Sequence, residues 1–318
     1  MPPTGVNDPS SYYAGESHPS LFWELTICQC LESLESPYQA ALRTPERYGE
    51  ILARVLREQV GLDPGWSVVE VGGGTGSLMA ALLDAVPLRT VTMVDLSPAF
   101  LGRQRAALEG RSGLEFVQSD AAAFVRGLGR SVDLVISNEN IGDFPTAVGL
   151  SRDDVAIAGA AGGADDPVTG RVAELVRRYG LDLSGAPETF AFNLGAVEYL
   201  EALAPVARTV FLSEHSSDSE VPEPFAGFIA APPSDGYPRR VPLRGHDEYT
   251  IRFGHLEQVA LRLGYRVRRL PLMALLGLRD DDGVRTMVRC PNRLSETAEI
   301  VHEFFFHVAE YQVLLLTR

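Results

Sequence analysis

The 318-residue sequence predicts an α/β fold, a parallel sheet of about seven strands covered by helices, and three observations predict it. Between Ser67 and Leu134, apolar runs rich in β-branched residues (SVVEV, TVTMV, LEFV, VDLVI) alternate with helical stretches (LMAALLDAV, PAFLGRQRAAL). Strands that alternate with helices form parallel sheets. Towards the C-terminus the alternation resumes with a helix around AVEYLEALAPVA, the strand TVFLS, and a helix marked by Leu256, Val259, Ala260 and Leu263 that stops at Gly264. YRVRRLPLMALL and YQVLLL supply the last two strands. The third observation is VVEVGGGTGSL, Val68 to Leu78, a buried strand running through a glycine-rich turn into a helix.

The remaining elements follow in order. Residues 1–20, rich in Pro, Ser, Gly and Tyr, read as an irregular arm, and a helix runs from Arg47 to Val60. After Pro145 the alternation is interrupted. AIAGAAGGADDP reads as a mobile loop at 155–166, and DDPVTGRVAELVRRYG as an inserted helix. The Pro-rich excursion PEPFAGFIAAPPSDGYPRRVP reads as a cover over something beneath it. No internal repeat is visible.

Composition narrows the function. Lys+Arg is 28 against Asp+Glu 42, a formal charge of −14, the opposite of what phosphate-backbone binding requires, so nucleic acid is not an expected partner. The chain has no lysine, and its acidity leaves a cationic substrate open. Three cysteines, two of them close together as Cys28 and Cys30, form neither a disulfide framework nor a four-ligand zinc pattern, which fits a reducing compartment. With no basic-then-apolar leader and no apolar run of spanning length, the expectation is a soluble, cytoplasmic protein with no membrane partner.

The glycine loop identifies a ligand class. Gly72, Gly74 and Gly76 let the turn bend tightly and expose backbone N–H groups, with Glu70 just before them. A dinucleotide fingerprint counted from Gly72 needs glycine at 77, which is Ser77, whereas E-x-G-x-G-x-G fits as Glu70, Gly72, Gly74 and Gly76. This resembles the first motif of class I S-adenosylmethionine-dependent methyltransferases. TVTMVDL ends in Asp95, placed for both ribose hydroxyls, and FVQSDA ends in Asp120, matching the family's acidic contact to the adenine amino group, with the Ala121 N–H beside the ring. The resemblance implies a Rossmann-like seven-stranded class I methyltransferase fold. It implies S-adenosylmethionine as cofactor, S-adenosylhomocysteine as product, and a cofactor site of Glu70, Gly72, Gly73, Gly74, Gly76, Asp95, Leu96, Asp120, Ala121 and Asn138.

The fourth strand, VDLVIS, ends in Asn138, Glu139, Asn140, Ile141, Gly142, Asp143, Phe144 and Pro145, where the carboxyl ends of central strands line a ligand crevice. The amide-methyltransferase pattern N-P-P-Y is absent. A carboxylate here suits a guanidinium, which it can bind with two parallel hydrogen bonds and orient for transfer. E-N-I-G-D-F resembles the first arm of the double-glutamate loop of protein arginine methyltransferases. RTPERYGEILARVL, EVGGGTGSLMAALL, SNENIGDFP and TIRFGHLEQVALRLGY resemble, in order and spacing, the MidA family of arginine methyltransferases that assist respiratory complex I assembly.

The departures are specific. The family has N-E-x-x-D-A-L-P, and here Gly142 stands at the Asp position with Asp143 one residue later; Glu214, His215 and Ser216 replace Asp-Tyr-Gly after the fifth strand. Val148 stands where a second arginine-methyltransferase glutamate would fall. Glu139 and Glu214 are therefore the expected catalytic clamp, with Asn140, Asp143, His215 and Tyr48 binding substrate. The chain divides into an N-terminal arm with helices (1–60) and a methyltransferase domain (61–318) with insertions at about 146–190, 216–248 and 279–305.

The expected activity is methyl transfer to the guanidinium of arginine. Free L-arginine is favoured, as in the arginine N-methyltransferases of natural-product pathways such as streptozotocin biosynthesis. The rivals are a MidA-type protein arginine methyltransferase acting on an arginine-containing protein, a non-catalytic cofactor-binding assembly factor, and an O-methyltransferase if His215 or His255 reaches the crevice. A homodimer is possible by analogy with related arginine methyltransferases. No metal site is read. HEFFFH places its histidines five apart, on different helix faces, and reads as core packing. FWELTICQCLESL reads as an apolar helix face with ordinary buried thiols, Tyr12, Tyr13, Phe22 and Trp23 as packing of the N-terminal segment in preference to a cap over cofactor or acceptor, and Asp280 to Asp282 as a solvated turn.

Overall fold

The computed structural model of the chain describes residues 4–15, 26–230 and 232–318, without the side chain of Arg293. Strand β1 (Gly5–Asn7) and the helical turns α1 (Ser10–Tyr13) and α2 (Ile27–Cys30) precede helix α3 (Tyr48–Val60), which ends where Gly61 takes a left-handed conformation, φ 70°. The expected irregular arm is thus structured where it is described. Phe22 and Trp23 lie outside the described residues.

Next come β2 (Ser67–Val71), α4 (Ser77–Ala85), β3 (Thr90–Asp95), α5 (Pro98–Ala107), β4 (Leu114–Gln118), α6 (Ala121–Gly127) and β5 (Val132–Asn138). Ser97 and Asp120 cap α5 and α6 by accepting from the Phe100 and Ala123 N–H groups. The interruption after Pro145 contains β6 (Thr146–Ser151), α7 (Arg152–Ala161), α8 (Pro167–Tyr179) and β7 (Thr189–Phe192). The loop expected at 155–166 is corrected here, because Ser151 caps α7 and the helix continues to Ala161, stopping at left-handed Gly162. Then follow α9 (Leu194–Leu203), β8 (Ala207–His215), the hairpin strands β9 (Arg240–Pro242) and β10 (Asp247–Tyr249), α10 (Phe253–Arg262), β11 (Arg266–Pro271), α11 (Asp282–Arg289), α12 (Glu296–Ala309) and β12 (Tyr311–Thr317). HEFFFH falls within α12, where Phe304 and Phe305 are buried, and Asp281 caps α11.

The main sheet has seven strands in the order β11-β12-β8-β5-β2-β3-β4. β8, β5, β2, β3 and β4 are parallel, and β12 runs antiparallel to both β8 and β11. This is the Rossmann-like class I methyltransferase architecture expected from the sequence. The pleat sorts the core into two layers. Val69, Val71, Val135 and Leu212 pack on one face with α9 and α10, while Val68, Leu134, Ile136 and Phe211 pack on the other with α3, α4 and α12. Burial on both faces explains why the central strands read as continuous apolar runs.

A smaller sheet, β1-β6-β7, joins the N-terminal strand to the inserted segment, with Gly5, Val6 and Asn7 opposite Val148, Ala147 and Thr146. A cleft lies beside β2 and β5, where successive strands step to opposite sides of β2 and their carboxyl ends diverge. Among the described residues no helix is long and apolar enough to cross a membrane.

Candidate active site

The cleft has a volume of about 770 Å³. One end is built by the turn after β2. Gly72 (φ 64°) sits where a Cβ would come within 2.5 Å of Asn140 Nδ2, so only glycine lets the loop pass that side chain. Asn140 holds the same turn by donating to the Val71 carbonyl at 2.5 Å. Gly74 (φ 50°) differs, since a Cβ there would meet nothing within 4 Å; its bare backbone faces the open cleft. Asp95, Leu96, Asp120 and Ala121 line the same end. Asp95 accepts from the Ser97 N–H at 2.9 Å on one oxygen and from Gln104 Nε2 at 2.9 Å on the other, which fixes the carboxylate and leaves each oxygen a free lone pair. Burial raises its pKa to about 6 against the pull of those donors.

Three expected site residues stand elsewhere. Gly76 is not on the cleft wall; it opens α4, and a Cβ would come 3.1 Å from Gln104 Cα, so it serves the α4–α5 contact. Tyr48, on α3, is buried behind the wall and donates to Asn138 Oδ1 at 2.7 Å, so it positions Asn138 and does not bind substrate. Glu70 is buried behind the glycine turn, about 3.3 Å from the point where a Gly73 Cβ would be, and its Oε2 has no hydrogen-bond partner.

Burial, then the neighbouring Asp95 charge, pushes Glu70 up to about 8. A carboxyl whose folded pKa lies above its unfolded one stabilises fully below the unfolded value and loses that contribution as pH rises towards the folded value. Glu70→Gln is therefore expected to unfold like the wild type near pH 4.5 and to be more stable by on the order of 2 kcal/mol at pH 8. Urea unfolding at both pH values checks this; equal stability at pH 8 would refute it.

The other end is built by the β5 exit. Asn138 and Glu139 both line the cleft, and Glu139 is the sole non-glycine residue with positive φ (54°) among those described. That strained conformation turns its carboxylate under α2. Oε2 accepts from the Ile27 N–H at 2.8 Å and the Tyr311 hydroxyl at 3.1 Å; Oε1 accepts from Asn138 Nδ2 at 2.9 Å and the Cys28 N–H at 3.3 Å. Four donors fill the four lone-pair directions of a carboxylate. The two-glutamate clamp is corrected accordingly, because a guanidinium at Glu139 would have to displace the chain's own donors.

Glu214, at the end of β8, is different. Oε2 accepts from the Gly142 N–H at 3.1 Å and Oε1 from the His215 N–H at 2.8 Å, leaving one lone pair on each oxygen. Gly142 is what permits this approach, as a Cβ there would sit 3.4 Å from Glu214 Oε2 and 3.1 Å from the Tyr249 carbonyl. Burial opposes protonation of His215, but Glu214, with Nδ1 at 3.5 Å from Oε1, and the charges of Glu310 and Glu139 outweigh it, so its pKa is raised. Its ring lies 4.1 Å from that of Tyr311 and 5.4 Å from His307. His255 is away from the cleft, its Nε2 3.2 Å from the Asp182 carbonyl, and burial pulls it down to about 4.

Sequence reasoning missed part of the wall. Asp8, Ser10 and Tyr13 from the N-terminal segment, Val241, Leu243 and Glu248 from the β9–β10 hairpin, and His307 from α12 all line the cleft. Tyr13 donates to Asp143 Oδ2 at 2.7 Å, Tyr12 stacks on His246 at 4.4 Å, and Asn7 donates to the Asp247 carbonyl at 2.8 Å, so the N-terminal segment ties the hairpin to the β5 exit. Cys28 Sγ receives Asn138 Nδ2 at 3.3 Å; burial and then the Glu139 charge push the thiol well up, which keeps it protonated and inert.

The fold that frames this cleft is the Rossmann-like class I methyltransferase architecture. Residues 68–150 match the family model described as a methyltransferase domain. The chain is 35% identical over 102 residues to the uncharacterized methyltransferase YrrT of Bacillus subtilis, covering 32% of this chain and 42% of that protein. It is 32% identical over 99 residues to the release factor glutamine methyltransferase of Koribacter versatilis, covering 31% of this chain and 35% of that one. The chain thus spans less than half the length of the curated relatives it matches. Among solved structures, an uncharacterized ACR superfamily protein from Burkholderia thailandensis superposes with a TM-score of 0.53 at 16% identity, over 97% of this chain and 92% of that one, a likeness of fold.

The residues present fit the cofactor. The bare Gly74 backbone and the fixed Asp95 carboxylate are the features that a sulfonium amino acid carrying a ribose would meet.

Proposed function

We propose that the protein is an S-adenosylmethionine-dependent N-methyltransferase acting on the guanidinium of arginine, with free L-arginine the favoured acceptor. The observation that carries this reading is Glu214, a fixed, buried carboxylate with one unused lone pair on each oxygen at the cleft wall. Two parallel N–H donors of a guanidinium match that geometry. Glu139, Asp143 and Glu248 add negative charge at the same end, which favours a cationic acceptor.

When bound, S-adenosylmethionine supplies an electrophilic methyl group on a sulfonium. The chain's own residues then divide the work. Gly72 to Gly74, Asp95, Leu96, Asp120 and Ala121 hold the cofactor, and Asn138 and Asn140 stiffen the wall between its two ends. Glu214 orients one guanidinium nitrogen and receives on a carboxylate oxygen the proton that nitrogen sheds, with His215 ion-paired beside it. Glu139 holds α2 in place. The hairpin and α1 over the cleft favour a small acceptor above a protein side chain on a folded surface.

A mass-resolved assay with labelled S-adenosylmethionine, offering free L-arginine, an arginine-rich peptide or no acceptor, tests the reading. Methylated free arginine with little methylated peptide is the expected result. Methylation of peptide alone would replace it with a protein arginine methyltransferase. Cofactor binding with neither acceptor methylated would overturn the guanidinium assignment.

A further inference from the structure

The hairpin brings a second group of side chains to the acceptor end of the cleft. Asp143, on the β5 exit, and His246 and Glu248, on the hairpin, place one potential ligand atom each within 4.8 Å of one another. His246 Nε2 is 3.3 Å from Asp143 Oδ1 and 3.7 Å from Glu248 Oε1. The His246 side chain is only 2% exposed, and Tyr12 stacked at 4.4 Å fixes the plane of its ring. Asp143 Oδ1 is buried without a hydrogen-bond partner although it lies this close to the imidazole nitrogen. Nε2 also lies 3.0 Å from the Tyr13 hydroxyl, so an ion that takes this nitrogen displaces that contact and the proton the ring carries towards it. The second carboxyl oxygen of Asp143 is held by the Tyr13 hydroxyl, which orients the group.

Ligand atoms bound to one divalent first-row ion at about 2.0–2.2 Å stand roughly 3.0–3.5 Å apart, so closing this triad needs only side-chain adjustment. One imidazole and two carboxylates suit Mn²⁺, Fe²⁺, Co²⁺ or Zn²⁺, and a three-residue face leaves further coordination positions open. Asp143 and Glu248 both line the cleft, so those positions face the acceptor. We propose that Asp143, His246 and Glu248 form a divalent-metal site at the acceptor end of the cleft.

The site answers a charge problem in the function proposed above. Any acceptor bearing a carboxylate or phenolate would meet Glu139, Asp143, Glu214 and Glu248, against Arg103, on α5, the one arginine among the described residues of the lining, and His215, which is ion-paired to Glu214. A bound cation gives such an anionic oxygen a partner, and the α-amino carboxylate of a free amino acid is a two-point chelator for the open positions. The metal site itself stands independently of arginine as acceptor, because the ion can be measured without turnover.

The test is titration of the chelator-treated full chain with Mn²⁺, followed by calorimetry and electron paramagnetic resonance, with S-adenosylhomocysteine binding measured in every sample as a control for folding. We expect one ion per chain, coupling to a single imidazole nitrogen that disappears in His246→Gln, and affinity weakened at least tenfold in Glu248→Gln. Failure of the wild type to take up one ion overturns the proposal even if a variant does not fold. Uptake without nitrogen coupling, or unchanged in Glu248→Gln, overturns it in favour of adventitious binding to an acidic surface. Stoichiometric uptake with no methylation of arginine leaves the metal site standing and removes arginine as the acceptor.

Discussion

Asp95→Ala should raise the dissociation constant for S-adenosylhomocysteine by about 100-fold while the chain remains folded. Hydrogen bonds to a charged acceptor contribute about 1.5–3 kcal/mol, and each tenfold in affinity is about 1.4 kcal/mol, so losing a carboxylate that serves a diol removes roughly two orders of magnitude. The Ser97 N–H and Gln104 Nε2 hold both oxygens in place before any ligand arrives, which spares the site the entropy of ordering the group. Asp95→Asn should fall between, since its amide oxygen can still accept from Ser97 while its NH₂ opposes Gln104. Calorimetric titration, with far-ultraviolet circular dichroism as a folding control, checks both. A change of less than threefold in Asp95→Ala would mean that the cofactor's ribose is not held at the end of β3.

Glu214→Gln should lower kcat by about 100- to 1,000-fold with cofactor affinity unchanged, the range typical of losing a positioned acid–base or electrostatic group. The substitution is nearly isosteric and keeps an oxygen for one of the two backbone donors, but it removes the negative charge and puts an NH₂ where a guanidinium would donate. Glu139→Gln should behave differently. Its amide would present donors to the Ile27 N–H or the Tyr311 hydroxyl, so α2 loses its anchor, and the variant should show lower thermal stability together with lower activity. Single-turnover kinetics and thermal denaturation of the two variants separate these outcomes. Equal loss of stability in both, or wild-type turnover in Glu214→Gln, would remove Glu214 from the chemistry.

How much of this was legible in the sequence depended on how local the cause was. The seven strands of the main sheet and their helices announced themselves through period and β-branching, and the glycine turn through spacing, because Gly72 and Gly74 answer to backbone geometry at their own positions. TAVGLS and TFAF did not. These are short strands of a small three-stranded sheet, and β6 carries a glycine and follows Pro145 directly. AIAGAAGG read as a loop because two glycines close it, yet Ser151 at one end and Gly162 at the other bound a real helix.

The acceptor end was harder, since its geometry is non-local. Glu139 could be placed at the cleft from its strand, but not seen to be saturated by Ile27, Cys28 and Tyr311, which are distant in sequence. Gly142, at the position where the resembling MidA pattern has aspartate, gave a signal without a meaning until Glu214 appeared against it. His246 carried no motif at all; it became notable only when the hairpin brought it against Asp143.

Strand β12 has a consequence for how the molecule is made. It lies between β8 and β11, paired antiparallel to both, and it delivers Tyr311 to Glu139. On the ribosome β8 emerges about a hundred residues before this partner, with one edge of its ladder unpaired in the meantime. The five parallel strands can assemble early from neighbouring segments, but the wall beneath α2 is finished only when the last strand slots in. A nascent or truncated chain should therefore be able to build the glycine turn long before it can form a complete acceptor chamber, so methyl-donor binding would be acquired during synthesis ahead of catalytic competence.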